Sequence, residues 1–223
     1  MTRSIRLGAI CWLLTVIFPL AQAIAQAAWP QYSMVTNDIS LLGVTTCGQY
    51  VNEAPGGIAY VCSPLSVVFN AGMILNGIMV VLGAWLTSRA WPPRWLATAG
   101  LWLLAIGGDG SILVGLFPLN VYFSLHAAGA LLALGVADLG FLCLAIALRR
   151  QSPRFALYCL LTGLVTLSSF VLYLAGYDLG IGRGVLERLA AWPHTLWYMI
   201  AALLILRGAF GTEPSSKQRV SAA

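Results

Sequence analysis

Charge is what this sequence has least of. Only 9% of its 223 residues are Asp, Glu, Lys or Arg, where a soluble domain carries about a quarter. A chain of this size with so little charge cannot build a polar surface around a core. The one lysine, Lys217, lies near the end of the chain, which excludes chemistry that needs a Schiff-base lysine inside an apolar bundle, such as retinal binding. Histidine is limited to His126 and His194. A zinc site usually takes three or four ligands, so no metal site and no cofactor is assigned. The net charge of +5 does not indicate nucleic acid, because the basic residues punctuate the apolar runs instead of gathering on one segment. Also missing are an internal repeat and the inverted halves of many transporters.

Apolar residues are abundant, at 60% of the chain. They fall into six runs, at about 7–28, 65–88, 95–117, 121–148, 155–177 and 187–207, each long enough as a helix to cross a ~30 Å hydrocarbon layer. The expected fold is all-α: an integral membrane bundle of six transmembrane helices, with a long extracytoplasmic loop between helices 1 and 2. Residues 1–210 form a single domain, and the polar tail GTEPSSKQRVSAA, 211–223, reads as disordered. Membrane lipids are the expected surroundings and partners, and no protein partner is indicated.

Orientation follows from the arginines. Ten of the twelve basic residues flank the runs on the side of the termini, and only Arg183 and Arg188 fall on the other. The positive-inside rule then places both termini in the cytoplasm and the chain in the plasma membrane. Trp85, Trp91 and Trp95 are expected in the cytoplasmic aromatic belt and Trp29 in the outer one. The first run has a rival reading as a secretory signal, because MTRSIRLGAICWLLTVIFPLAQAIAQA combines a basic start, an apolar stretch and an Ala-x-Ala-like end. Its length, beyond the usual signal core, favours a retained helix. Cys47 and Cys62 share the outer loop, an oxidising location in this orientation, and are expected to form a disulfide. Cys11, Cys143 and Cys159 lie in or near helices and read as packing residues.

Four stretches, PQYSMVTNDISLLG, VFNAGMILNG, VGLFPLNVYFSLHAAGALLALG and GVLERLAAWPHTLWYMIAALLIL, carry a resemblance. The residues concerned are Asp38, Ser40 and Gly43; Gly115, Phe117 and Pro118 followed by His126; Glu187 and Arg188; and Trp192, Pro193 and Trp197. In this order they resemble the domain-of-unknown-function 998 family of multipass prokaryotic membrane proteins. The resemblance implies a six-helix bundle with no assigned activity. It also implies a distant similarity to eukaryotic membrane proteins that include autophagy modulators and lipid-sensing factors.

The polar residues inside the runs hold the functional information. His126, Ala130, Ala133, Ala137 and Gly140 share one face of the fourth helix. That face is small apart from the histidine, so His126 should point at a partner helix. Counted from the outer ends at 1.5 Å per residue, Asn70, Asp109, His126 and His194 lie about 8 to 12 Å deep, with Glu187 and Arg188 at the mouth. A charge in the bilayer is costly unless paired or wetted, so these six residues are read as a candidate ligand pocket opening outward, under a lid that carries Asp38 and Ser40. Glu187 is expected to turn inward toward His126, and Arg188 toward the loop. A structural reading, in which His126 only clips two helices, stands beside this. Asp138 lies deeper and about 120° round the helix from His126; it is set outside the pocket, with Asn76 as its partner. The glycines of GGDGS, 107–111, either break the third helix or form a close-packing face, and the second is favoured. Pro193 should kink the sixth helix and free the Leu189 carbonyl.

The reading that results is a multipass membrane protein, not expected to be an enzyme, with no catalytic residue assigned, that binds a lipid or small amphiphile in an outward-facing polar pocket. The alternatives are an intramembrane hydrolase with His126 as base and Asp109 orienting it, a bis-histidine haem protein using His126 and His194, and a small transporter.

Overall fold

The structure is a computed structural model and describes residues 1–52 and 57–209. Six helices cross the bundle: α1 (Arg3–Ala27), α2 (Ser66–Ala90), α3 (Trp95–Leu116), α4 (Phe123–Leu148), α5 (Pro153–Leu174) and α6 (Arg183–Leu206). At 1.5 Å per residue each is long enough to span the apolar layer of a membrane, and the chain is a multipass membrane protein. The ends fall within four residues of those read from hydropathy. The differences are physical: apolarity marks what lipid tolerates, whereas helix ends are set by hydrogen bonds. Thr2 caps α1 by accepting the Ile5 amide, which carries the helix beyond its apolar run. At the start of α6 the helix begins after Gly182, whose φ is +96°, and takes in a polar first turn. The tail read as disordered, 211–223, lies outside the described residues.

Each helix packs on its neighbour in sequence, and α6 closes back on α1, so the six form a ring. Glycines set its tightest contacts. A Cβ on Gly110 would lie 2.5 Å from the Gly129 carbonyl, and one on Gly129 would lie 2.8 Å from the Gly110 carbonyl. Gly77 and Gly108 block each other in the same reciprocal way across α2 and α3. The helix α3 is therefore continuous through GGDGS, and its glycines serve close approach. In contrast, α4 departs from α geometry, with a π turn at Leu131–Val136.

The two ends of the ring differ. The end carrying the N-terminus, the last turn of α6 and the turns at 88–94 and 149–152 is here called the basic end. Its core is aromatic: Trp12 and Trp197 are fully buried, and Trp197 meets Trp12, Trp91, Phe141, Phe155 and Tyr198 at centroid distances of 4.9 to 6.0 Å. Trp197 donates to Cys159 Sγ at 3.3 Å and Trp12 to the Val80 carbonyl at 3.2 Å. Trp85 and Trp95 are exposed as an aromatic belt requires, but Trp91 belongs to this core and Trp29 to the core at the other end. Their indoles have ring partners within the fold, which position along the sequence does not reveal.

The opposite, capped end is closed by the connection from α1 to α2. A 3₁₀ turn, Ile39–Gly43, is buried along its whole length and packs with Phe18, Phe69, Met73 and Val114. A hairpin of β1 (Gly48–Asn52) and β2 (Gly57–Val61) follows, antiparallel, with Gly48 opposite Val61. The disulfide Cys47–Cys62 closes its base.

Candidate functional site

Behind the 3₁₀ plug lies a cavity of about 80 Å³. Its polar lining comes from five places in the chain: Ser40 on the plug, Asn76 on α2, Ser111 on α3, His126 on α4, and Glu187, His194, Thr195 and Tyr198 on α6. The contribution of α6 is periodic, because Glu187, Ala191, His194 and Tyr198 step by four, three and four residues and so share a face.

His126 is buried, and its Nδ1 lies 3.0 Å from the carbonyl of Phe117, at the end of α3. A carbonyl only accepts, so Nδ1 carries the proton in that bond and Nε2 is left as the acceptor of the neutral ring. Glu187 turns inward, as its neighbour Arg188 does not. Its carboxylate accepts the Ile39 amide instead of pairing with His126, so the inward carboxylate holds the plug.

His194 Nε2 lies 2.6 Å from Asp138 Oδ1, and Thr166 Oγ1 lies 2.6 Å from the same oxygen. Asp138 is completely buried and its Oδ2 has no partner. Asp138 does not line the cavity, as expected, but it bonds His194, which does. A regular helix would place Asp138 about 120° from His126, but the extra residue in a π turn rotates everything after it back by roughly 100°. Asp138 comes round to the interior face and meets His194. Asn76 is not its partner: Asn76 lines the cavity, and its Oδ1 is buried with no hydrogen bond.

The six residues read from depth therefore divide. His126, Glu187 and His194 line the cavity. Asn70 and Arg188 bind the cap instead. Asn70 Nδ2 donates to the Gly43 carbonyl at 2.9 Å. Arg188 Nη1 donates to the carbonyls of Met34, Asn37 and Gly184 at 2.7 to 3.1 Å, and Nη2 to Tyr32 Oη at 2.5 Å. Burial pushes the Tyr32 phenol well above its usual range, so it stays protonated. Asp109 is corrected outright: it is exposed on the outer face of α3. Its glycine neighbours must face the helices they touch, and a helix turn then leaves Asp109 outside with Trp102, Ile106 and Leu116. A His126–Asp109 hydrolase dyad is not formed.

Of the lid residues, Ser40 lines the cavity and Asp38 does not. Asp38 Oδ2 accepts from Arg183 Nε at 2.9 Å and from Tyr173 Oη at 2.8 Å, and the Arg183 guanidinium sits 3.9 Å above the Tyr173 ring. This clasp was missed in the sequence, although Arg183 was one of only two basic residues assigned to that side. Ser111, Thr166, Thr195 and Tyr198 were missed as well, since a hydroxyl in an apolar run gives no signal until its neighbours are known.

Among the described residues no hydroxyl bonds either imidazole, and no three His, Cys, Asp or Glu residues converge as metal ligands. A cavity of about 80 Å³ is also far below the ~300 Å³ at which pockets for organic ligands begin, so it has no room for a haem between His126 and His194.

With this geometry described, a family model for "Protein of unknown function (DUF998)" is found to match residues 12–204. The chain belongs to the DUF998 family. No curated protein and no solved structure matches it. In this DUF998 chain the residues that carried the resemblance meet largely at the capped end. Phe117 bonds His126, Ser40 and Glu187 line the cavity, Asp38 and Arg188 fasten the cap, and Trp192 donates to Gln22 at 3.0 Å. Trp197 alone among them anchors the basic end.

Proposed function

We propose that this DUF998 protein is a non-enzymatic membrane protein that holds a small polar molecule, or the polar end of an amphiphile, in the cavity behind the Ile39–Gly43 plug. One observation carries the reading: Asn76 Oδ1 is buried in the cavity wall without a donor. An unmade buried hydrogen bond is costly, and a ligand or ordered water that donates to it removes the cost. His126 Nε2, Ser111, Thr195 and Tyr198 offer further polar contacts. The volume sets the scale at a handful of waters or a headgroup fragment, so any lipid tail lies elsewhere.

The test is mass spectrometry of small molecules that co-purify in mild detergent. The expected result is one species retained by the wild type and lost from Asn76→Leu and His126→Leu. A wild type that carries nothing but water would overturn the ligand reading. The buried Glu187 and the His194–Asp138 pair favour a second reading in that event, a hydrated proton path.

For placement, we take the plasma membrane as the site, with the capped end extracytoplasmic and both termini cytoplasmic. The arginine distribution supports this, and a disulfide at the capped end suits an oxidising compartment. The α1 segment is read as retained, because Trp12 lies in the core of the basic end. A reporter fused after Ala223 should behave as cytosolic; activity outside the membrane would reverse the orientation.

A further inference from the structure

Two features remain without a role. Asp109 is an acidic side chain exposed on the outer face of a membrane helix, with no hydrogen bond or ion pair among the described residues. Intramembrane carboxylates almost always face a partner or a wet cavity. The second feature is a groove of about 600 Å³ between α1 and α6, apolar along its length, with Pro19 and Met34 on one wall and Trp192, Leu196 and Met199 on the other. At its head sits Arg188, 4% exposed. Its Nε has no partner, and among the described residues no carboxylate lies within ion-pair distance of it. Asp38 is taken by Arg183, and Glu187 is committed to the Ile39 amide.

The two features match in height. Asp109 lies seven residues before the end of α3 and Arg188 five residues after the start of α6, so both sit about 8 to 10 Å below the capped end. The match continues downward. Trp102, 65% exposed, is seven residues nearer the basic end than Asp109 on the same stripe. Leu196, 54% exposed, is eight residues nearer that end than Arg188, on the groove wall. An acidic head above an apolar knob thus faces a cationic head above an apolar slot.

We propose that a second copy of this chain fills the groove: the Asp109–Ile106–Trp102 stripe of α3 docks between α1 and α6 of its neighbour, bringing Asp109 beside Arg188. Copies in one membrane share an orientation and are related by rotation about its normal, so two different faces can dock only if they lie at the same height. The contact is heterologous, so repeating it builds a ring where the rotation closes and an open array in the membrane where it does not. In the low dielectric of the bilayer a carboxylate and a guanidinium attract strongly even before they touch. The inference uses the outer surface and is independent of the cavity, with which the groove shares only Thr195.

The experiment reads oligomeric state in native membranes and nanodiscs. Substitutions are confined to the exposed positions Asp109, Ile106 and Leu196, because Arg188 also holds the cap. The wild type should be oligomeric. Asp109→Leu and the groove-filling Leu196→Trp should each lower the oligomer population tenfold or more, and Asp109→Glu should preserve it. Co-expressed Ile106→Cys and Leu196→Cys chains should cross-link to each other, while Ile106→Cys alone should not. A monomeric wild type, an Asp109→Leu oligomer of unchanged population, or cross-linking of Ile106→Cys with itself would each overturn the proposal. So would a monomer that retains an anionic lipid lost on Leu196→Trp, because the groove would then belong to the lipid.

Discussion

The basic and capped ends are built from the same six helices, yet they are held together by different forces. At the basic end Trp12, Trp91, Phe141, Phe155 and Trp197 fill the ring, Trp197 stacking on Trp91 and Phe155 and meeting Phe141 edge to face, and the three indole N–H groups bond to buried neighbours. At the capped end the helices meet polar backbone. Asn70, Arg188 and Glu187 reach from α2 and α6 to the connecting segment and satisfy its carbonyls and amides. An irregular segment at membrane depth is tolerated only when its backbone groups are paired within protein, and here side chains do that pairing. The dry end is held by packing. The capped end is held by charge-assisted hydrogen bonds and keeps a cavity where the pairing is incomplete.

The largest effect should come from the dry end. Trp197→Ala removes a fully buried ring from the centre of the cluster, and the expected loss is about 3–5 kcal/mol, measured by denaturant titration in mixed micelles. A loss below about 1 kcal/mol would mean that the aromatic end does not hold the bundle.

Asp138→Leu tests the boundary between the two regions. Removing one member of a buried pair is expected to cost about 3–5 kcal/mol, since His194 loses its partner at mid-span. The double variant Asp138→Leu, His194→Phe should recover most of that, because neither polar group is then stranded. If the double variant is as unstable as the single one, the pair does more than satisfy itself.

Arg183→Gln acts on the cap and on its fastening to the end of α5. It breaks the charge-assisted bond to Asp38, worth about 1.5–3 kcal/mol at most in a partly exposed site. The change should appear as faster hydrogen exchange at Ile39–Gly43 with the unfolding midpoint nearly unmoved. A matching fall in global stability would erase the distinction between cap and bundle.

The smallest effect belongs to Asn76→Leu. Its carboxamide oxygen has no partner to lose, so stability should stay within about 0.5 kcal/mol or rise, while the co-purifying ligand disappears. A large destabilisation in thermal scans would show that Asn76 is structural.

Much of this was readable in advance. Six spans, the bundle class and the disulfide followed from residue type and spacing; Glu187 was expected inward for a pairing with His126 that does not form, and it holds the Ile39 amide instead. Hydropathy and helical periodicity are local properties, and lipid acts on each helix separately. The failures share a cause. Asp109 was placed by depth alone, which says how far down a helix a residue lies and nothing about which way it faces. For Asp138 the expected partner was Asn76, and the π turn in α4 brings it to His194 and Thr166 instead. Arg183 looked like a topological marker until Asp38 and Tyr173, 145 and 10 residues away, were seen against it.

That this chain lives in a membrane as six helices is written in its residues, because a predominantly apolar run of about twenty, as a helix, matches the thickness of the hydrocarbon layer. The ring closure, the plug and the cavity were decided by tertiary structure alone. Within lipid the hydrophobic effect gives helices no preference for one neighbour over another. The choice falls to glycine contacts, ring packing and hydrogen bonds between residues far apart in the chain, and these exist only once the helices have met.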